Sequence, residues 1–344
     1  GVGVVVAVAV VVAVGVAVGV VVGVVGSHTM TQADTSAQYY DNTILSSYKD
    51  CPRKYQLRHQ FHWRSDRTAI PLVFGLSWHS AMDVVWQHAR EVPQQELPRY
   101  AMAKFLETWE EQGMKAELSM EEIERLNPRI PGVAEEMLHG YLAARWGMIQ
   151  EAELLASEQP FAVPVPGLVN VWYVGRLDKV INYQGQTLAI EHKTTTEYKK
   201  DGGFKTTYVE GWFSDSQVKG YQFGGALFIP GLTQVWVDAS LVHKTVHDKF
   251  RLIPVQHSMP LLQEWLKDTQ DWIGRLQRDQ AAGYFPKNEN ACMGKFGPCP
   301  YLDVCRTTPT EMLPKDPPAG YMVEEWKPFE TLGLDKLVQK EQQA

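Results

Sequence analysis

Cysteine and positive charge are both scarce in this chain of 344 residues. It has four cysteines, and 33 Lys and Arg stand against 40 Asp and Glu, a net charge of −7. That balance argues against a broad surface for coating nucleic acid. No Gly-x4-Gly-Lys-[Ser/Thr] occurs, so no nucleotide-binding P-loop of the helicase kind is present. Nothing reads as a secretory signal, which predicts a cytoplasmic protein, and a chain of this size needs no disulfide staples. The single long apolar run is residues 1–26, which contain only Gly, Val and Ala. It is long enough to span a bilayer. It lacks flanking Lys or Arg, however, and Gly with Val forms helices poorly. Gly26-Ser27-His28-Thr29-Met30 follows, in the manner of a tag-cleavage scar. Residues 1–30 are therefore expected to be a non-native tag or placeholder, with no membrane association.

The chemistry is concentrated between residues 171 and 193. Val171–Ile181 and Leu188–Lys193 are β-rich runs around the polar turn Asn182-Tyr-Gln-Gly-Gln-Thr187, the pattern of a hairpin. With Gln184-Gly185 at the turn centre, Asp178 falls opposite Glu191. Facing residues on antiparallel strands have Cβ atoms roughly 4.5–5.5 Å apart, close enough to share one cation. Glu191 and Lys193 are two apart and point to the same face. Two carboxylates can hold a hard divalent cation, and a lysine beside the attacking water favours hydrolysis of a phosphodiester. Asp178, Glu191 and Lys193 are thus the candidate catalytic residues.

Cys292, Cys299 and Cys305 cluster in a Gly/Pro-punctuated loop, and Cys51 lies far upstream. Four thiolates of this kind suit a tetrahedral zinc or a cubane iron–sulfur cluster. A shared site would tie the two ends of the chain together. Gln217 and Tyr221 form a Gln-x3-Tyr pair on one face of a predicted helix.

Together, Leu45–Arg58 around Cys51, the Gly-x-x-Asp strand, Glu191-His192-Lys193, Gln217-x3-Tyr221 and the late cysteines resemble the RecB-like branch of the PD-(D/E)XK nuclease superfamily. The resemblance is to its subgroup with a four-cysteine iron–sulfur staple, which holds CRISPR-adaptation, AddB-type and phage exonucleases. It covers about Leu45 to Cys305. It implies an α/β fold, a mixed central sheet flanked by helices, with an inserted helical layer and a C-terminal iron–sulfur staple. It implies a DNA exonuclease using Mg²⁺ or Mn²⁺, acting on single strands or ends in recombination, repair or CRISPR adaptation. The alternative it leaves is a weak or inactive DNA-binding subunit of a larger assembly. Helicase, recombination or CRISPR-adaptation proteins are the implied partners. His79, in Gly75-x3-His79, matches a metal ligand with Asp178 and Glu191, and the His192 carbonyl is a further oxygen donor. Lys193 matches the catalytic lysine, and Gln217 and Tyr221 match residues that hold the DNA strand. Cys51, Cys292, Cys299 and Cys305 match the ligands of a [4Fe-4S] cluster. The spacing Cys-x6-Cys-x5-Cys departs from the common Cys-x2-Cys-x5-Cys and leaves zinc open as occupant.

The remaining pattern predicts one nuclease domain over 31–310 and a Pro- and charge-rich tail over 311–344. Helices are expected over Phe74–Trp86, Arg99–Gln112, Val133–Leu154 and Leu261–Ala282, those within 97–153 forming the insertion. Further strands are expected over Ala156–Val165, Val235–Leu241 and Phe250–Pro254. An acidic body needs only a local basic track for DNA. Candidates are Lys49, Arg53, Lys54 and Arg58, with Lys193, Lys199, Lys200 and Lys205. Tyr198, Tyr208, Trp212 and Phe213 are placed where a base could stack.

Overall fold

The computed structural model describes residues 37–337 apart from 68, 200–202, 295–296 and 336. Lys200, the 1–30 segment, Lys295 and Phe296 of the cysteine loop and the last tail residues lie outside the described residues. In chain order the elements begin with β1 (Gln38–Tyr40), α1 (Asn42–Asp50), α2 (Pro52–Tyr55), β2 (Trp63–Ser65) and α3 (Ile70–His88). Next come α4 (Leu97–Glu111), α5 (Met120–Leu126), α6 (Pro131–Glu151), β3 (Glu153–Pro164), β4 (Val171–Tyr183) and β5 (Gln186–Thr195). They are followed by α7 (Thr206–Gly211), α8 (Ser216–Phe228), β6 (Gln234–Leu241), β7 (Phe250–Val255) and α9 (Met259–Ala282). The last are β8 (Met293–Gly294), β9 (Gly297–Pro298), α10 (Leu302–Thr307), β10 (Tyr321–Val323) and α11 (Pro328–Leu332). Among the described residues, no helix is long and apolar enough to cross a membrane.

The sheet is mixed, as the α/β expectation requires. β4 pairs antiparallel with β5, β5 parallel with β6, and β6 antiparallel with β7. β1 runs parallel to the first residues of β4, and β3 also pairs with β4. β4 is almost wholly buried, so its apolar run does not alternate. The β4–β5 turn is the predicted one: Gln184 and Gly185 have φ of 50° and 76°, the double left-handed geometry that lets a two-residue turn follow the strand twist.

The chain forms two compact units. One is built from Thr68–Gln159 and Arg176–Ser258. In it α3, α4 and α6 bury Phe74, Trp78, Phe105, Trp109, Met137 and Tyr141 with Ile181, Leu188 and Ile190 of the sheet. Each such large apolar side chain contributes roughly 1.5–3 kcal/mol on full burial. α5 was not expected from periodicity. Its start is nevertheless a capping box, with Ser119 Oγ accepting from Glu122 N–H and the Glu122 carboxylate accepting from Ser119 N–H. α6 stops at Glu151, short of the expected Leu154, because the chain turns extended at Ala152 and enters β3.

The other unit is built from the stretch up to Arg67, Pro160–Gly175 and Met259 onward. α9 presents Leu262, Trp265, Thr269, Ile273 and Leu276 as one buried stripe, spaced as an amphipathic helix demands. The tail is not free. β10 pairs antiparallel with β2, and Trp326, Phe329, Leu332 and Leu334 cover Tyr39, Trp172 and Val174. Arg53 is a correction to the expected basic track. It is 2 % exposed, and its guanidinium donates to Thr310 Oγ1. Its charge is spent inside the unit because a buried guanidinium must be hydrogen-bonded.

Candidate active site

Helix α3 meets β4 through two consecutive polar contacts one turn apart. His79 Nδ1 lies 3.1 Å from Asp178 Oδ2. One turn further on, Asp83 pairs with the buried Lys179 ammonium and accepts from Ser157 Oγ at 3.0 Å. Residues four apart share a helix face, so α3 is pinned to both residues of the Asp178-Lys179 pair. Asp178 Oδ2 also accepts the His192 N–H at 2.9 Å, which binds the first acid to the strand of the second. Asp178 stands one residue beyond Lys179, whose partner is Ile190, so it takes the predicted place opposite Glu191.

On β5, Lys193 Nζ donates to Glu191 Oε1 at 2.6 Å. The Gln217 amide donates to the Tyr221 hydroxyl at 2.8 Å and lies 3.4 Å from Glu191 Oε1. Asp215 caps α8, its Oδ1 accepting from Gln217 and Val218 N–H, which fixes the helix start that carries Gln217. Lys193 Nζ also sits 6.0 Å from the centre of the Trp212 ring, within cation–π range. Glu191 Oε2 is buried without a hydrogen-bond partner. An orphaned buried carboxylate oxygen is costly, and Asp178 is a second carboxylate close enough to act on it.

The charges polarise one another. Burial opposes ionisation of Asp178, but the His79 contact, and after it Lys179, overrides it and holds the carboxyl well below the usual range. Glu191 is pushed up to about 7, first by burial and then by the Asp178 charge, against Lys193 and His79. Burial would lower Lys193 and His79, yet the carboxylates beside them raise both: Glu191 and Asp178 around Lys193, chiefly Asp178 around His79. Two carboxylates pulled apart in this way are a recurrent mark of functional sites.

His192 points away from the carboxylates. Its side chain is fully buried among His79, Trp86 and Tyr141, with ring centres 6.1–6.4 Å apart. Burial and then Lys179 hold the ring neutral. Behind it lies a polar network that sequence reasoning missed. Asp238, the strand partner of His192 on β6, accepts from Tyr141 Oη at 2.8 Å and from Arg145 Nη2 at 2.9 Å. Trp86 Nε1 donates to Tyr141 Oη at 3.1 Å. No local sequence pattern marks these residues, which meet across 93 to 97 positions.

The four cysteines are free thiols that line a single cavity, together with Lys54 and Lys287. Cys51 sits between α1 and α2, and its Sγ accepts the Asn288 N–H at 3.4 Å. Cys299 N–H donates to the Cys292 carbonyl at 2.9 Å across the β8–β9 ribbon, and Cys305 lies on α10. Burial raises the Cys299 and Cys305 thiols. Among the described residues, no three His, Cys, Asp or Glu side chains are already drawn tightly enough to hold an ion. Of the other predicted DNA contacts, Lys54 pairs with Asp50 at 2.9 Å and Arg58 lies 3.6 Å from Glu324.

The sequence profile of the PD-(D/E)XK nuclease superfamily matches residues 42–306, a span that holds every catalytic candidate and all four cysteines. The chain belongs to this superfamily. Among solved structures, the nuclease is similar to a candidate exonuclease from Eubacterium rectale, at 14 % identity over 85 % of this chain and 97 % of that one, with a TM-score of 0.46. It is also similar to the alkaline exonuclease LHK-Exo from Laribacter hongkongensis, at 12 % identity over 60 % and 93 % of the two chains, with a TM-score of 0.27. No curated protein matches the nuclease.

Proposed function

We propose that this nuclease is a DNA exonuclease in which Asp178, Glu191 and His79, with the His192 carbonyl, hold Mg²⁺ or Mn²⁺ and Lys193 completes the site. The observation that carries the reading is the buried, unpartnered Glu191 Oε2 beside the ionised Asp178. Two hard oxygen donors, one of them with an orphaned lone pair, are the donor chemistry such a cation needs. When bound, the cation supplies Lewis-acid polarisation of the phosphate and offsets charge on the leaving oxygen.

The chain's own residues do the rest. Lys193 is held protonated by the carboxylates, so it donates to the phosphate or the attacking water and steadies the negative charge that develops there. Gln217, held by the Tyr221 hydroxyl, lies 3.4 Å from Glu191 Oε1 and helps to steady that carboxylate, as supporting residues must if the first contacts are to stay in place. His79 does the same for Asp178. A net charge of −7 with confined basic patches favours threading a strand end over coating duplex, because salt-sensitive affinity scales with phosphates contacted.

The cysteine cavity favours the iron–sulfur branch of the superfamily. Four thiols share it, and Lys54 and Lys287 would offset thiolate charge. A [4Fe-4S] cluster, or zinc, would there close the N-terminal helices onto the C-terminal loop.

The test is degradation of end-labelled linear single- and double-stranded DNA beside a covalently closed circle, with Mn²⁺, Mg²⁺ or EDTA. Metal-dependent loss of linear DNA with the circle spared is expected. Cleavage of the circle would make the enzyme an endonuclease, and cleavage in EDTA would remove the cation.

A further inference from the structure

We propose that the turn Trp212–Ser214 is a nucleobase subsite, in which the Phe213 ring stacks on the unpaired base next to the scissile phosphate. The inference deepens the DNA-cleaving reading and rests on it. Trp212 carries the geometric link. Its indole packs edge-on against Tyr208, with centres 5.7 Å apart and planes at 86°, and places its ring 6.0 Å from Lys193 Nζ. A phosphate engaged by Lys193 therefore leaves its flanking base within one nucleotide's reach of this turn.

Phe213 is the next residue, and its ring is 45 % exposed. Its backbone is held on both sides. His257 Nε2 lies 2.9 Å from the Phe213 carbonyl oxygen. His257 is buried, and Gln222 locks it by accepting the His257 N–H at 2.9 Å and donating to the His257 carbonyl at 2.9 Å. Two residues beyond Phe213, Asp215 caps the helix that carries Gln217. The exposed ring thus rides on a fixed support that is continuous with the residues orienting Glu191. A fixed aromatic face loses little freedom on binding, which is what a stacking surface needs.

Charge selects the ligand. A protein of net charge −7 gains little from wide phosphate contact, so sequence-tolerant stacking has to supply a larger share of affinity. Every base has a π-face, but only an unpaired base offers it outside its stack. The subsite accordingly fits a single-stranded or frayed end and reads no sequence.

The experiment measures binding of a fluorescent 12-mer of thymidine and of the same strand with abasic sites at its terminal nucleotides, with Lys193 intact and Ca²⁺ in place of Mg²⁺ or Mn²⁺ to prevent turnover. The base-bearing strand is expected to bind roughly 5- to 150-fold more tightly, the stacking range of one base. Phe213→Ala and Phe213→Leu should collapse that ratio toward one, and Phe213→Tyr should keep it. Phe213→Leu retains apolar bulk and so separates loss of the π-face from loss of packing, and equal thermal midpoints for all variants confirm folding. A ratio that survives Phe213→Leu overturns the stacking role while leaving the nuclease reading intact. Failure of either strand to bind overturns both.

Discussion

Asp178 and Glu191 stand on facing strands, and their surroundings drive them to opposite protonation. His79 at 3.1 Å keeps Asp178 ionised, and that charge, added to burial, lifts Glu191 to about 7. Lys193 completes the group, its ammonium 2.6 Å from Glu191 Oε1.

Lys193→Ala is expected to lower cleavage of linear DNA by about 10²–10⁴-fold. Glu191, already lifted to about 7, can take up a proton when the ammonium is gone, so the thermal midpoint should stay within a few degrees. Single-turnover rates beside a melting curve check both. Retained turnover would refute the lysine's role.

Asp238 offers the complementary case, a residue buried behind the site. Asp238→Ala leaves the buried Arg145 guanidinium without its partner between α6 and β6, and breaking one side of a buried pair costs about 3–5 kcal/mol. Tyr141→Phe removes the hydrogen bond to the same carboxylate and leaves Trp86 Nε1 without its acceptor, and should cost about 1–3 kcal/mol. Urea midpoints of the two variants test the ranking.

Two glycines of α6 should respond to alanine with opposite sign. A Cβ on Gly140 would meet the His247 carbonyl oxygen at 2.4 Å, so Gly140→Ala should destabilise by about 1–3 kcal/mol. Around Gly147 nothing lies within 4 Å, and Gly147→Ala should stabilise by about 0.5–1 kcal/mol through helix propensity. Equal effects in denaturant titrations would contradict the packing described for α6.

Acid should weaken the unit that holds His59. This imidazole stacks on Tyr55, and burial, then Arg58, His62 and Lys54, lowers it from 6.5 to about 4. Its proton binds more readily in the unfolded chain. The stability it contributes is therefore complete above about 6.5 and is lost as pH falls toward 4. His59→Gln should flatten the fall of the unfolding midpoint between those values, by on the order of 1–3 kcal/mol. A slope equal to wild type would show that other groups govern acid unfolding.

Removal of one cysteine should discharge the cavity. Cys299→Ala is expected to lose bound iron or zinc and to lower the stability of its unit. Elemental analysis and visible absorbance read the first, and thermal melting reads the second. A variant that keeps full metal content and colour would rule out ligation by Cys299.

What the sequence revealed and what it hid divide along chain distance. The β4–β5 hairpin was legible because Gln184-Gly185 sets the register locally, and once the register is known Asp178, Glu191 and Lys193 follow. The longer strands β3 to β7 were legible from their apolar and β-branched runs, whereas β1, β2 and β8 to β10, of two or three residues each, were not expected. α5 was overlooked although Ser119 and Glu122 announce it, because its seven residues are too few to show a period. Arg53 read as surface charge, for its partner Thr310 is 257 residues away. The Tyr141–Arg145–Asp238 network was hidden for the same reason: only folding brings its members together.

The pairing of β2 with β10 sets an order of events during synthesis. Trp63–Ser65 cannot find its neighbour until Tyr321–Val323 has been made, about 10–50 s later at ordinary elongation rates. In that interval the catalytic unit can close almost entirely from sequence already translated, while Leu57 and Trp63, fully buried at the end, remain bare to chaperones. The unit that holds Asp178 and Glu191 can thus be complete before the unit that carries the cysteines.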